Sequence, residues 1–130
     1  MKKYGFIKCT DEKIDELHER NQIRGFRYGC SVDDTISKTI CVQQDGRDIA
    51  LLDYSIENKE MQINEFEIVV CERKCGHGKN IISIIQEKCE LDAICLYPKT
   101  EGAKEFWNKC SFEEIYEETG VMQMEWKRNT

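Results

Sequence analysis

Residues 67–82 read Glu67-Ile68-Val69-Val70-Cys71-Glu72-Arg73-Lys74-Cys75-Gly76-His77-Gly78-Lys79-Asn80-Ile81-Ile82, and the hydrophobic period changes partway along them. Ile68 to Val70 close the longest strand candidate in the chain, Met61 to Val70. The turn from Arg73 to Gly78 carries two glycines. After it, Ile81, Ile82, Ile84, Ile85 and Cys89 recur at helical spacing, which predicts a helix of about three turns. A short apolar run from Asp92 to Tyr97 follows and is ended by the only proline, Pro98. A strand, a helix and a second strand in this order cross over right-handedly, so the two strands are expected to be parallel.

Upstream of that unit the pattern is β. Thr39 to Val42 and Ile49 to Tyr54 flank Gln44-Asp45-Gly46-Arg47, where Asp-Gly is a hairpin signal because glycine accepts positive φ. A second turn at Asn58-Lys59 leads into the long strand. Tyr4 to Lys8 reads as a first short strand, and Asp11 to Asn21 as a helix with Thr10 as N-cap and Ile14 and Leu17 on its apolar side. Gly25 to Gly29 is expected to be loop. Downstream, Ala103, Phe106, Trp107 and Cys110 form a helical stripe, and Phe112 to Tyr116 and Val121 to Trp126 read as two closing strands. The order β-α-β-β-β-α-β-α-β-β implies an α/β (α+β) fold: a mixed, mostly antiparallel central sheet flanked by helices.

At 130 residues the chain is expected to be one domain. With 25 acidic against 19 basic side chains and no basic stripe, nucleic acid is not an expected partner. No apolar run has the length of a signal peptide or a membrane span, so a cytoplasmic setting is expected. There are eight cysteines. Five of them (Cys41, Cys71, Cys89, Cys95 and Cys110) lie in or beside apolar runs, where reduced thiols behave as small hydrophobes. Cys71, Cys75 and His77 fall within seven residues, but there is no C-x-x-C pair and the other histidine, His18, is remote, so no metal site is expected.

The chemistry is expected at the turn. The first turn of a helix leaves N–H groups unpaired at the positive end of the macrodipole, where a phosphate accepts several hydrogen bonds. Glycines at 76 and 78 let an anion approach the backbone. The spacing is not that of the dinucleotide or P-loop motifs.

Arg73-x-x-Gly76-x-Gly78 resembles the [QR]-x-x-G-x-[GA] acetyl-CoA signature of the GNAT N-acetyltransferase superfamily, between the strand and helix where that family carries it. Residues 103–112 resemble the family's late A-x-x-[FL]-Y-x-K-x-G-F segment. The resemblance runs from about Lys38 to the C-terminus. It implies a GNAT-like fold, with acetyl-CoA or coenzyme A as cofactor. By it, the strands ending at Val70 and Tyr97 splay around the pantetheine. Backbone groups of Ile68, Val69 and Val70 would meet the pantetheine and acyl carbonyl, and amides of Arg73, Lys74, Cys75, Gly76, His77, Gly78 and Lys79 would take the pyrophosphate.

The implied reaction is direct transfer of an acetyl group to a primary amine. Glu65 and Glu67, on the central strand, are the candidate bases. Trp107 stands where the family often has an acidic tyrosine, Thr100 in place of an asparagine and Ser111 in place of a glycine; Tyr28, Tyr54 and Tyr97 are alternative acids. Lys74, Lys79 and Lys88 are candidates for the 3′-phosphate, and Asp33-Asp34 for attracting a cationic amine. The expected partner is an amine, small molecule or protein, with a homodimer left open and no membrane. The alternative is an acyl-CoA-binding sensor or interaction module that does not catalyse.

Overall fold

A computed structural model describes residues 3–24, 37–120 and 122–128. The expectations for Gly25 to Gly29, Tyr28, Asp33-Asp34 and the start of the last strand at Val121 lie outside the described residues. The elements are β1 (Gly5–Lys8), α1 (Asp11–Glu19), β2 (Ser37–Gln44), β3 (Arg47–Glu57), β4 (Glu60–Ile68), a 3-10 turn (Val70–Glu72), α2 (His77–Lys88), β5 (Ala93–Leu96), α3 (Glu101–Lys109), β6 (Glu113–Tyr116) and β7 (Met122–Lys127). Their order is the one the sequence predicts. The strands form a seven-stranded mixed sheet in the order β1-β2-β3-β4-β5-β7-β6. β4 and β5 pair in parallel, as the crossover rule requires, with Glu60 to Ile63 opposite Ala93 to Leu96. The β1–β2, β2–β3, β5–β7 and β6–β7 pairs are antiparallel.

The chain divides into two compact units. The first, residues 1–55 and 64–78, is built around Ile14 and Leu17 of α1, Ile23, Cys41, Leu51 and Val69, all buried. Thr10 caps α1 by accepting from the Lys13 N–H at 3.2 Å. The helix stops two residues earlier than the apolar spacing suggests, because Asn21 takes a left-handed φ of 56°. The N–H groups of Asn21 and Gln22 then close on the carbonyls of His18 and Leu17, a Schellman end. Asp45 and Gly46, at φ 53° and 76°, make the two-residue hairpin between β2 and β3.

The second unit, residues 56–63 and 79–130, buries Ile81, Ile82 and Ile85 of α2, Ile94 and Leu96 of β5, Trp107, Phe112 and Met124. Its entry turn, Asn58-Lys59, has both residues at positive φ and no glycine. Arg128 closes the end of α2, its guanidinium donating to the carbonyls of Gln86, Cys89 and Leu91 at 2.7–2.9 Å. The apolar setting inferred for five cysteines holds for Cys41 and Cys110, which are buried, and in part for Cys95. Cys71 and Cys89 are exposed, because each falls just past the end of its apolar run, on a turn or helix terminus that faces water. All seven described cysteines are free thiols.

Candidate anion-binding turn

β4 delivers the chain to the turn already committed to backbone partners. The Val69 N–H donates to the Ile49 carbonyl at 2.9 Å, and the Val70 N–H to the Gln22 carbonyl at 2.8 Å. The Cys71 N–H meets the Gln22 side-chain oxygen at 3.0 Å. The 3-10 turn uses the next two amides, Glu72 to Val69 at 2.9 Å and Arg73 to Val70 at 3.4 Å. Lys74 and Gly76 then adopt left-handed φ values of 64° and 81°, which redirects the backbone into α2. Among the described residues, no backbone carbonyl accepts from the N–H of Lys74, Cys75 or Gly76. The exposed segment Arg73 to Gly76 therefore offers unpaired amides next to the positive end of a twelve-residue helix.

The two glycines differ in what they do. A Cβ on Gly76 would meet nothing within 4 Å, so its constraint is the positive φ. Gly78, expected in the turn, lies inside α2 and is buried, because the helix already starts at His77. The unpaired amides of Lys74 to Gly76 accordingly run on into the first-turn amides of α2.

Arg73 does not project from the turn. Its Nη2 donates to Glu67 Oε2 at 2.8 Å and its Nε to the Ile68 carbonyl at 2.9 Å. Glu67 Oε2 also accepts the Arg24 N–H at 2.7 Å. Glu67, one of the two candidate bases, thus serves as the strut that ties β4 to the turn. Of Ile68 and Val70, expected to meet the pantetheine, Ile68 has its carbonyl taken within the chain and Val70 both its N–H and its carbonyl. Glu65 is half-buried on β4, on the side of the strand that alternation shares with Glu67.

His77, at the first position of α2, anchors the other end of the turn. Its Nε2 lies 3.3 Å from Glu72 Oε1 and its Nδ1 2.7 Å from the Tyr4 hydroxyl. Glu72 Oε2 takes Arg47 Nη1 at 3.2 Å. Glu72 is only 8 % exposed, and a carboxylate so buried requires partners of this kind. Since the carboxylate only accepts, His77 Nε2 is the donor of that contact, while the direction of the Tyr4 hydroxyl–Nδ1 bond follows the protonation of the ring. Sequence reading missed this chain of contacts. Its one signal was an acid five residues before a histidine in a turn; the involvement of Tyr4 and Arg47 depends on tertiary structure. With both ring nitrogens engaged, His77 is not disposed to bind a metal with Cys71 and Cys75, and the described residues contain no grouping that could hold one.

Elsewhere, Trp107 is buried against Phe106 and Phe112 with ring centroids 4.9 and 5.0 Å away, a core residue of the α3 stripe. Thr100 is the N-cap of α3, accepting from the Ala103 N–H at 3.0 Å. The Tyr97 hydroxyl donates to Glu117 at 2.7 Å, and this bond raises the phenol pKa. Tyr54 is half-buried, and Lys74, Lys79 and Lys88 are exposed.

The fold is the GNAT-like fold of solved N-acetyltransferases. An acetyltransferase from Thermus thermophilus superposes with a TM-score of 0.73 at 11% identity, covering 96% of this chain and 97% of that one. The ribosomal-protein-S18-alanine N-acetyltransferase of Escherichia coli gives 0.67 at 11% identity over 98% and 96%. A dodecameric spermidine N-acetyltransferase from Vibrio cholerae gives 0.66 at 14% identity over 95% and 93%. No protein-family model matches the sequence, and no curated protein matches it significantly.

Proposed function

We propose that residues 1–130 form one acetyl-CoA-dependent N-acetyltransferase domain that transfers an acetyl group directly to a primary amine. The observation that carries this reading is the exposed run of unpaired amides at Lys74 to Gly76, leading into α2 within an N-acetyltransferase fold. These amides take the pyrophosphate of coenzyme A, assisted by the N–H groups of His77 and Lys79 and by the Lys74 and Lys79 ammonium groups. Glu65, a carboxylate on the central strand β4 a few residues before the turn, is the base that removes a proton from the acceptor ammonium, directly or through water. The leaving thiolate collects its proton from solvent, because the indole N–H of Trp107 is far too weak an acid to supply it. The proposed setting is the cytoplasm, supported by the free thiols.

One observation favours the alternative, an acyl-CoA-binding module without catalysis. The Ile68 carbonyl and the Val70 N–H, which the family resemblance assigns to the acyl arm, are engaged by Arg73 and Gln22. Two measurements decide. Calorimetry with coenzyme A tests the turn, and release of free thiol from acetyl-CoA over a panel of primary amines tests transfer. Binding with turnover supports the enzyme, binding without turnover supports the module, and absence of binding removes both.

A further inference from the structure

His77 stands one residue beyond Gly76, at the first position of α2, and its side chain is only 12 % exposed. Tyr4 meets the ring at Nδ1 and Glu72 meets it at Nε2. Arg47 in turn holds the second oxygen of Glu72. The Tyr4 and imidazole rings also meet edge to face, with centroids 5.7 Å apart. Pyrophosphate binding at the turn uses the backbone N–H of His77 and gives its ring no task.

The ring can change its charge without breaking either contact. Nε2 donates to Glu72 whether the imidazole is neutral or protonated. The Tyr4 hydroxyl both donates and accepts, so it gives its proton to Nδ1 of the neutral ring and receives the Nδ1 proton of the charged one. A backbone carbonyl in that place would only accept and an amide N–H would only donate, and each would fix one charge state. Arg47 offsets Glu72, so the group has no net charge with a neutral ring and one positive charge with a protonated ring. Lys74 and Lys79 are the other charged side chains flanking it along the chain, both exposed. Histidine is the side chain that normally changes charge between about pH 5 and 8. A charge gained in so sheltered a place, one residue from the unpaired Gly76 amide, is weakly screened from an anion at the turn.

We propose that His77 is a proton-linked positioning residue for the coenzyme: its ring holds the start of α2 in either charge state, and a bound pyrophosphate favours the protonated one. This rests on the coenzyme-binding reading above. An anion at the turn stabilises the imidazolium, so binding takes up a proton. By linkage, affinity rises as pH falls through the titration of the ring and levels off once the ring is protonated in the free protein. The uptake is a fraction of one proton, largest where the free ring is mostly neutral and the bound ring mostly charged.

Calorimetry from about pH 5.5 to about pH 8, in two buffers of different ionisation enthalpy, measures affinity and proton uptake together. The ligand is 3′-dephospho-coenzyme A, because the second ionisation of a phosphate monoester falls near pH ~6 and a pyrophosphate diester has none there. The wild type is expected to bind about tenfold more tightly at the acid end and to take up part of a proton. In His77→Gln, whose side-chain amide still donates to Glu72, the pH dependence and the uptake vanish. A second readout needs only the wild-type ring. Its C–H resonances, assigned by their absence from His77→Gln, are followed by NMR, and their titration midpoint moves up by about one pH unit when the ligand is added. This readout decides should His77→Gln not bind. A pH-independent affinity without proton uptake in the wild type, uptake undiminished in His77→Gln, or an unmoved ring titration overturns the proposal. If the wild type binds no ligand at any pH, the coenzyme reading fails on its own, and the ring titration with and without sulfate decides for His77: an upward shift supports the linkage and none overturns it.

Discussion

Glu65 and Glu67 look equivalent in sequence, two acids on one strand, and the structure gives Glu67 a definite task. Glu67 is a nearly buried partner of Arg73 and of the Arg24 amide, so its carboxylate is occupied in holding the turn. Glu67→Gln is expected to weaken coenzyme A binding and to destabilise the fold by about 1–3 kcal/mol, because a charge-assisted bond is lost and Arg73 is left without its counterion. Glu65→Gln is expected to lower kcat by ~10²–10⁴-fold with coenzyme A affinity unchanged, the usual worth of general base assistance. Calorimetry and steady-state rates on the two variants separate the roles, and a reversed pattern would exchange them. The cysteines divide in a similar way. Burial pushes the Cys9 and Cys110 thiols up to about 11 and the Cys41 thiol higher still, whereas Cys71, Cys75 and Cys89 are exposed. Since the thiolate is the nucleophile, alkylation of the native protein near pH 8 should modify Cys71, Cys75 and Cys89 and spare Cys9, Cys41 and Cys110. Peptide mass spectrometry reads the outcome, and modification of Cys41 in folded protein would refute it.

Helix α3 shows how an element's ending can be foreseen in part. The resemblance places a glycine where this chain has Ser111, and Ser111 indeed sits at φ 73°, the left-handed position just after the helix. Its N–H donates to Asn108 and that of Phe112 to Trp107, while the Trp107 and Phe112 rings meet, which makes a complete Schellman end with its hydrophobic contact. A residue with a Cβ is strained there by roughly 1–2 kcal/mol. Ser111→Gly should therefore raise stability by about 1 kcal/mol, less the entropy glycine adds to the unfolded chain, in thermal or urea unfolding. At the turn before α2 the same torsional rule works in the other direction, and Gly76→Val is expected to lower stability by about 1–2 kcal/mol. Element types were legible because hydrophobic period and turn chemistry are local: Asp45-Gly46 and Thr10 each act on their immediate neighbours. Element ends were less so. The sequence signature carries the turn through Gly78, but α2 starts at His77, which Glu72 and Tyr4 hold from distant points of the chain.

At the scale of the whole chain, the succession of strands and helices follows from the sequence, whereas the place of β7 between β5 and β6 does not. Strand order is a matter of which edges meet, and no local pattern in Met122 to Lys127 encodes it. The same fold at 11% identity to the Thermus thermophilus acetyltransferase is consistent with that division, because period and turn chemistry can be satisfied by many residue choices. The turn from Arg73 to Gly76 keeps its geometry only when the chain is folded, since it depends on the Glu67, Gln22 and Glu72 contacts around it. A ligand held there binds the native state and not the unfolded chain, and so must stabilise the native state by mass action. At a hundredfold excess over Kd the gain is about 2.7 kcal/mol. For a chain of this length, a shift of roughly 3–5 °C per kcal/mol puts the expected rise in Tm near ~10 °C with saturating coenzyme A. Gly76→Val should abolish most of that rise in addition to lowering the starting Tm, because a β-branched residue strains the positive φ of 81° on which the backbone path of the turn depends. Thermal unfolding of both proteins with and without coenzyme A measures the two effects separately. An equal rise in wild type and variant would place the coenzyme elsewhere on the molecule, and no rise in the wild type would mean that the turn binds no coenzyme A.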